Sequence, residues 1–179
     1  MVAYKITSTR EELEQILNLQ QKNLLKNLSE EEKKEQGFVT VEHTLGILQN
    51  MHDVQPHIIA THQNKVVGYA LSMHQSFKND IPVLVPMFDV IEKTVENSLN
   101  YIVMGQICID KDYRGKGIFR GLYDKMKKEV FKNFDAIITE VDALNTRSSN
   151  AHKAIGFKEL VKYESGGQLW ELIIIETNS

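Results

Sequence analysis

A lone cysteine cannot close a disulfide, and Cys108 is the only one in these 179 residues. Its place inside the apolar run "IVMGQICI" marks it as a buried, inert thiol, as expected of a chain made for a reducing cytosol. Proline and glycine are scarce, at 3 and 10 residues, which excludes collagen-like and low-complexity chains. No apolar window approaches the ~20 residues that a membrane span needs, and the beginning "MVAYKITSTREELEQ" lacks an apolar stretch with a cleavage site. The expectation is a soluble, cytoplasmic protein with no membrane partner. A large charge of one sign is missing too. The formal net charge of -3 argues against wide contact with a polyanion, so no nucleic-acid partner is expected, although a local basic pocket is permitted.

What is present is the composition of an ordinary globular protein, 42% hydrophobic and 25% charged. Its length suits one sizeable core, and a single domain over residues 1–179 is expected. Residues 2–7 read as a strand. A helix then starts with Ser8 or Thr9 as N-cap and Glu11 and Glu12 in its first turn, with Leu13, Ile16, Leu17 and Leu24 on one face. "SEEEKKEQG" reads as a solvated charge run. A second helix is predicted from Val41 to Met51, with Leu45, Leu48 and Val41 inward.

"HIIATHQNKVVGYALSMH" predicts a hairpin turning at Gln63, Asn64 and Lys65. Residues 78–98 hold two of the prolines and the helix-like "VPMFDVIEKTVEN", in which Pro86 suits the first turn. The preceding "IPVLVPMF" is either a cover for the sheet or a lid bearing Met87 and Phe88. "NYIVMGQICID" is a nearly continuous apolar strand, suited to burial on both faces. After it the pattern predicts a helix over 118–133, a strand over 136–142, a short helix over 147–155, a strand over 157–163, a turn at Gly166 and Gly167, and a last strand over 168–175. The fold class that follows is mixed α/β, with a central strand, a crossover helix and an antiparallel finish.

Positive charge and backbone freedom meet in "YRGKGIFRG", Tyr113 to Gly121. Glycines let amides face a ligand without a Cβ in the way, and a helix beginning there adds its positive end. Arg114, Lys116 and Arg120 would match the charge of a phosphate. A nucleoside triphosphate loop would need GxxxxGK[ST], and the sequence has none. A dinucleotide fold would need GxGxxG directly after a strand. Gly115, Gly117 and Gly121 have one residue too many, and too little chain follows for the remaining strands, although Glu140 or Asp142 could mimic the ribose-binding acid.

The third design is a coenzyme A pyrophosphate loop. "ICIDKDYRGKGIFRGLYDKM" resembles the signature of the GNAT superfamily of N-acetyltransferases: an apolar strand, a tyrosine, then Arg/Gln-x-x-Gly-x-Gly/Ala opening a helix. Arg114 and Gly117 fall on the first Arg and first Gly, while Phe119 stands where the family usually has Gly or Ala and must point away from the phosphates. "NTRSSNAHKAIGF" resembles the later family motif Asn-x-x-Ala/Ser…Tyr-x-x-x-Gly-Phe, with Asn145, Ser148, Gly156 and Phe157 in register and His152 in the tyrosine's place.

The resemblance implies a GNAT-like fold, a mostly antiparallel mixed sheet of about six to seven strands flanked by helices. It implies an acetyltransferase moving acetyl from acetyl-CoA directly to a primary amine of a small molecule or peptide. A catalytically inactive acyl-CoA-binding or sensor module of the same fold is the alternative. By resemblance the coenzyme would be held by Ile107, Cys108 and Ile109 of the strand, by Arg114, Gly115, Lys116, Gly117, Ile118, Phe119 and Arg120 of the loop, and by Asn145 and Ser148. Asn145 could equally cap a helix. His152 would be the acid that protonates the leaving thiolate, as an imidazolium. Glu140 alone among nearby strand residues could accept a proton, and the base is left open. The scattered His43, His52, His57 and His62 show no metal-ligand spacing, so no metal is expected. Lys125, Lys127, Lys128 and Lys132 read as the outer face of an amphipathic helix whose inner face is Met126, Val130 and Phe131. Dimers are common among similar proteins, so a homodimer is compatible.

Overall fold

The computed structural model describes residues 1–29 and 38–178, so most of the predicted charge run lies outside the described residues. Seven strands form one sheet in the order β1-β2-β3-β4-β5-β7-β6. They are β1 (Ala3–Ile6), β2 (Ile58–His62), β3 (Lys65–Met73), β4 (Tyr101–Ile109), β5 (Ala136–Asp142), β6 (Lys158–Ser165) and β7 (Gln168–Glu176). Among the described residues, the α-helices are α1 (Arg10–Asn23), α2 (Leu45–Val54), α3 (Val85–Thr94), α4 (Ile118–Val130) and α5 (Thr146–Ala154). β4 runs parallel to β5, whereas β1 with β2, β2 with β3, β5 with β7 and β6 with β7 are antiparallel. This is the mixed, mostly antiparallel architecture expected from the sequence.

The chain falls into two compact units, Met1–Met73 with Met104–Met126, and His74–Val103 with Lys127–Ser179. In the first unit, Thr9 is the N-cap of α1. Its side chain accepts from the Glu12 amide while Glu12 reaches back to the cap, a capping box that satisfies two otherwise unpaired helix-end amides. Leu13, Ile16 and Leu19 then repeat at helical spacing and are buried. α2 begins four residues later than predicted. The Thr44 side chain accepts from the Ile47 amide and sets the start, and Leu48 and Met51 form the buried side. The hairpin turns as predicted, with Gln63 and Asn64 at φ 51° and 62°, the pair of positive values that matches the twist of two-residue hairpins.

In the second unit, α3 lies against β6, and Met87, Phe88 and Ile91 are all but wholly buried. Of the two readings of this segment, burial favours the cover. The short loop at Gly166 and Gly167, at φ 60° and 76°, reverses the chain between β6 and β7. One inner-face expectation is corrected: Met126 and Val130 are buried, but Phe131 follows the end of α4 and is 45% exposed. Among the described residues, no helix is long and apolar enough to cross a membrane and no group of three His, Cys, Asp or Glu side chains is gathered for a metal ion.

Candidate active site

The glycine-rich stretch forms the loop between β4 and α4, in the first unit. Gly115 and Gly117 have φ of 73° and 76°, the left-handed region that any side chain would strain, and a Cβ added to either would meet nothing within 4 Å. The loop is therefore open on the side where those side chains would stand. The first helical hydrogen bond of α4 runs from the Gly121 amide to the Gly117 carbonyl at 3.1 Å, so the positive end of the helix begins at Ile118. A loop open at both glycines, followed by a helix start, suits the oxygens of a pyrophosphate.

Phe119 has an aromatic neighbour. Its ring meets Tyr123 one turn along the helix, edge to face at 5.2 Å between centroids. Gly121 has a different reason. A side chain there would overlap the Tyr4 ring, which lies against the first turn of α4 from β1. Tyr113, just before the loop, is tied to β2 by its hydroxyl, 2.7 Å from His62 Nδ1.

The three cationic residues have different surroundings. Arg114 turns inward: Nε donates to the Ile109 carbonyl at 3.0 Å and Nη2 to Asn23 Oδ1 at 2.6 Å. Lys116 donates to the Asp112 carbonyl at 2.7 Å and lies over the Tyr113 ring, and Arg120 is exposed. A guanidinium fixed by a strand carbonyl and a buried amide is first a brace of the loop's entry.

On β4, pairing with β5 covers Tyr101–Val103, against Ala136–Ile138, while β4 continues to Ile109. Ile107 and Ile109 are half-buried and alternate with buried Gln106 and Cys108. The Cys108 thiol is pushed up to about 12 by burial, so it stays protonated and is no nucleophile. Gln106 belongs to a polar cluster that sequence reading missed. Its Oε1 accepts from the Tyr69 hydroxyl at 2.7 Å and from Gln20 Nε2 at 2.8 Å, and its Nε2 donates to the Val41 carbonyl at 2.8 Å. Gln20 in turn accepts from the His43 amide at 2.8 Å. All four side chains are buried, and burial lowers His43 to about 4, which keeps it neutral.

The second unit holds the later motif. Asn145 is the N-cap of α5, its Oδ1 accepting from the Ser148 amide at 3.1 Å, so the capping reading is realised. His152, expected as the acid, is buried. It is 1% exposed, its ring stands edge to face on Phe157, and its Nδ1 donates to the Ser148 carbonyl at 2.8 Å. Burial drives its pKa down to about 4, so at neutral pH there is no imidazolium to act as acid. α5 is held to β7 by a bond from Ser149 Oγ to buried Glu171, at 2.5 Å. The carboxylate that sequence left open is the more telling one. Glu140 accepts a hydrogen bond from the Tyr163 hydroxyl, and burial raises it to about 7 against the lowering effect of that bond.

The model of the acetyltransferase (GNAT) family matches residues 13–157. No curated protein matches the sequence significantly. Solved structures do share the fold. The ribosomal-protein-S18-alanine N-acetyltransferase from Escherichia coli is 14% identical, with 99% of this chain and 94% of that one covered at a TM-score of 0.65. Ard1 from Thermoplasma volcanium is 14% identical, covering 98% and 97% at 0.67. The protein yncA from Salmonella typhimurium, solved with its cofactor acetyl-CoA, is 10% identical, covering 100% and 95% at 0.67. At such identities the likeness is one of fold, whereas the family match takes in the glycine-rich loop, β5 and α5 together. The chain belongs to the GNAT acetyltransferase family.

Proposed function

We propose that the protein is a cytosolic N-acetyltransferase that passes the acetyl group of acetyl-CoA directly to a primary amine of a small molecule or peptide. The observation that carries the reading is the loop with two left-handed glycines, open where side chains would stand, at the start of α4 and inside the matched region. The amides of Gly115, Gly117, Ile118, Phe119 and Arg120 would hold the pyrophosphate, with Lys116 adding charge. The backbone of Ile107, Cys108 and Ile109, beyond the part of β4 that pairs with β5, would bind the pantetheine arm and polarise the thioester. Asn145 and Ser148 support coenzyme binding through the capped start of α5.

Acetyl-CoA supplies an activated acyl group. The acceptor's ammonium must give up a proton so that the neutral amine can attack, and we assign the taking of that proton to Glu140, whose carboxylate is poised near neutrality. The leaving thiol, with an ordinary pKa of about 8.5, departs with little help, which relieves His152 of an acid's role. The high pKa of Cys108 supports direct transfer without an acyl-enzyme. The acceptor class draws support from the neighbours, whose names include a ribosomal-protein alanine acetyltransferase and a spermidine N-acetyltransferase chimera from Vibrio cholerae. Mixing the protein with acetyl-CoA and a panel of amines, and following free thiol, tests the reading. Tight coenzyme binding with no thiol release for any acceptor would instead identify a sensor module.

A further inference from the structure

Asn23 is the last residue of α1 and is 7% exposed. Its amide has one consistent orientation. Nδ2 donates to the Leu19 carbonyl at 2.9 Å, one turn back, so Oδ1 is the atom that faces Arg114 and accepts from Nη2 at 2.6 Å. The main chain at the same point is fixed as well. The Asn23 carbonyl accepts from the Val39 amide at 3.0 Å, and the Leu25 amide donates to the Val39 carbonyl at 3.1 Å. Nε of the same guanidinium donates to the carbonyl of Ile109, the last residue of β4. Asn23 is thus one end of a part-buried bridge whose other end is the strand leading into the glycine loop.

That loop needs such a bridge. Arg114 is followed at once by Gly115, and from Gly115 to Gly117 two of three residues lack a side chain with which to pack. Glycine loses more conformational freedom on ordering than any other residue, so a glycine loop keeps its shape only if its entrance is pinned. Asn23 also shares α1 with Gln20, which bonds Gln106 three residues before Ile109. One helix end therefore holds both the strand and the loop entrance.

We propose that Asn23 is a positioning residue for coenzyme binding, acting through Arg114 to fix the Ile109 carbonyl and the start of the loop. The inference rests on the reading of residues 114–120 as the pyrophosphate cradle. Asn23→Leu removes the acceptor at similar volume, and Asn23→Asp restores an oxygen to the guanidinium. Calorimetry with acetyl-CoA is expected to show about tenfold weaker binding for N23L and near-parental binding for N23D, the size of one charge-assisted bond. In turnover, KM for acetyl-CoA rises with it while KM for the amine stays within about twofold. Should N23L fail to fold, the shorter Asn23→Ser takes its place with the same expectation. An N23L variant that melts earlier yet binds acetyl-CoA as the parent does would overturn the inference, as would an N23D variant as weak as N23L. A parent protein that does not bind acetyl-CoA at all would overturn the proposed function and this inference with it, whereas normal parental binding unaffected by N23L overturns this inference alone.

Discussion

The Tyr163 hydroxyl on β6 donates a hydrogen bond to Glu140 on β5, reaching across β7, the strand between them. The bond lowers the carboxyl's pKa, and burial raises it by more, to about 7. With Glu140 as proton acceptor, kcat/KM for the amine rises with pH through an apparent pKa near 7, and Glu140→Gln lowers kcat by about 10²–10⁴-fold. Tyr163→Phe removes the lowering contribution, so the acidic limb moves to higher pH. A pH–rate series on the three proteins checks this, and an unmoved limb in the Tyr163 variant would contradict the pairing.

The same carboxyl links stability to pH. Its folded pKa lies above the ordinary carboxylate value, so the folded chain holds this proton more tightly than the unfolded one. Stability is fully present below the unfolded pKa, near 4.3, and is lost as pH rises toward the folded value, near 7. Glu140→Gln therefore raises stability by about 1–2 kcal/mol at pH 8.5, a figure reduced for the half-buried position, and by almost nothing at pH 4. Denaturant titrations at the two pH values give the comparison.

Gly121→Ala sets a methyl against the Tyr4 ring and costs about 1–3 kcal/mol, the usual range for overpacking. Tyr4→Ala opens that space. The double variant should lose less than the sum of the single losses, and strict additivity in a double-mutant cycle would show that the ring is not the obstacle.

His152→Phe removes the bond to the Ser148 carbonyl and lowers stability by about 1 kcal/mol. Because the imidazole is neutral above pH 5, the pH–rate profile keeps its shape. Loss of the basic limb at unchanged melting temperature would return His152 to the mechanism.

Local signals carried most of the fold. Strand β5 lies over 136–142 as predicted, because apolar β-branched residues and its flanks define it, and Thr9 with Glu12 is a capping box that four residues suffice to spell. The start of α2 was less legible, since Val41 looks as apolar as Leu45 until Val41 is seen to give its carbonyl to Gln106. The loop was recognisable because glycine has few substitutes at positive φ. The protonation of His152 and Glu140 was not, for motif register gives a residue's place and burial decides its charge. Least legible was the link of Asn23 to Arg114, 91 residues apart, in which two ordinary polar side chains gain meaning only by meeting.

The ring of Phe119 lies along α4 against Tyr123. A large side chain thus stands where the resemblance implies a small one, and it has an aromatic partner one turn on. A search pattern that insists on Gly or Ala there will pass over chains like this one, and a pattern that admits an aromatic residue when another follows four positions later will find them.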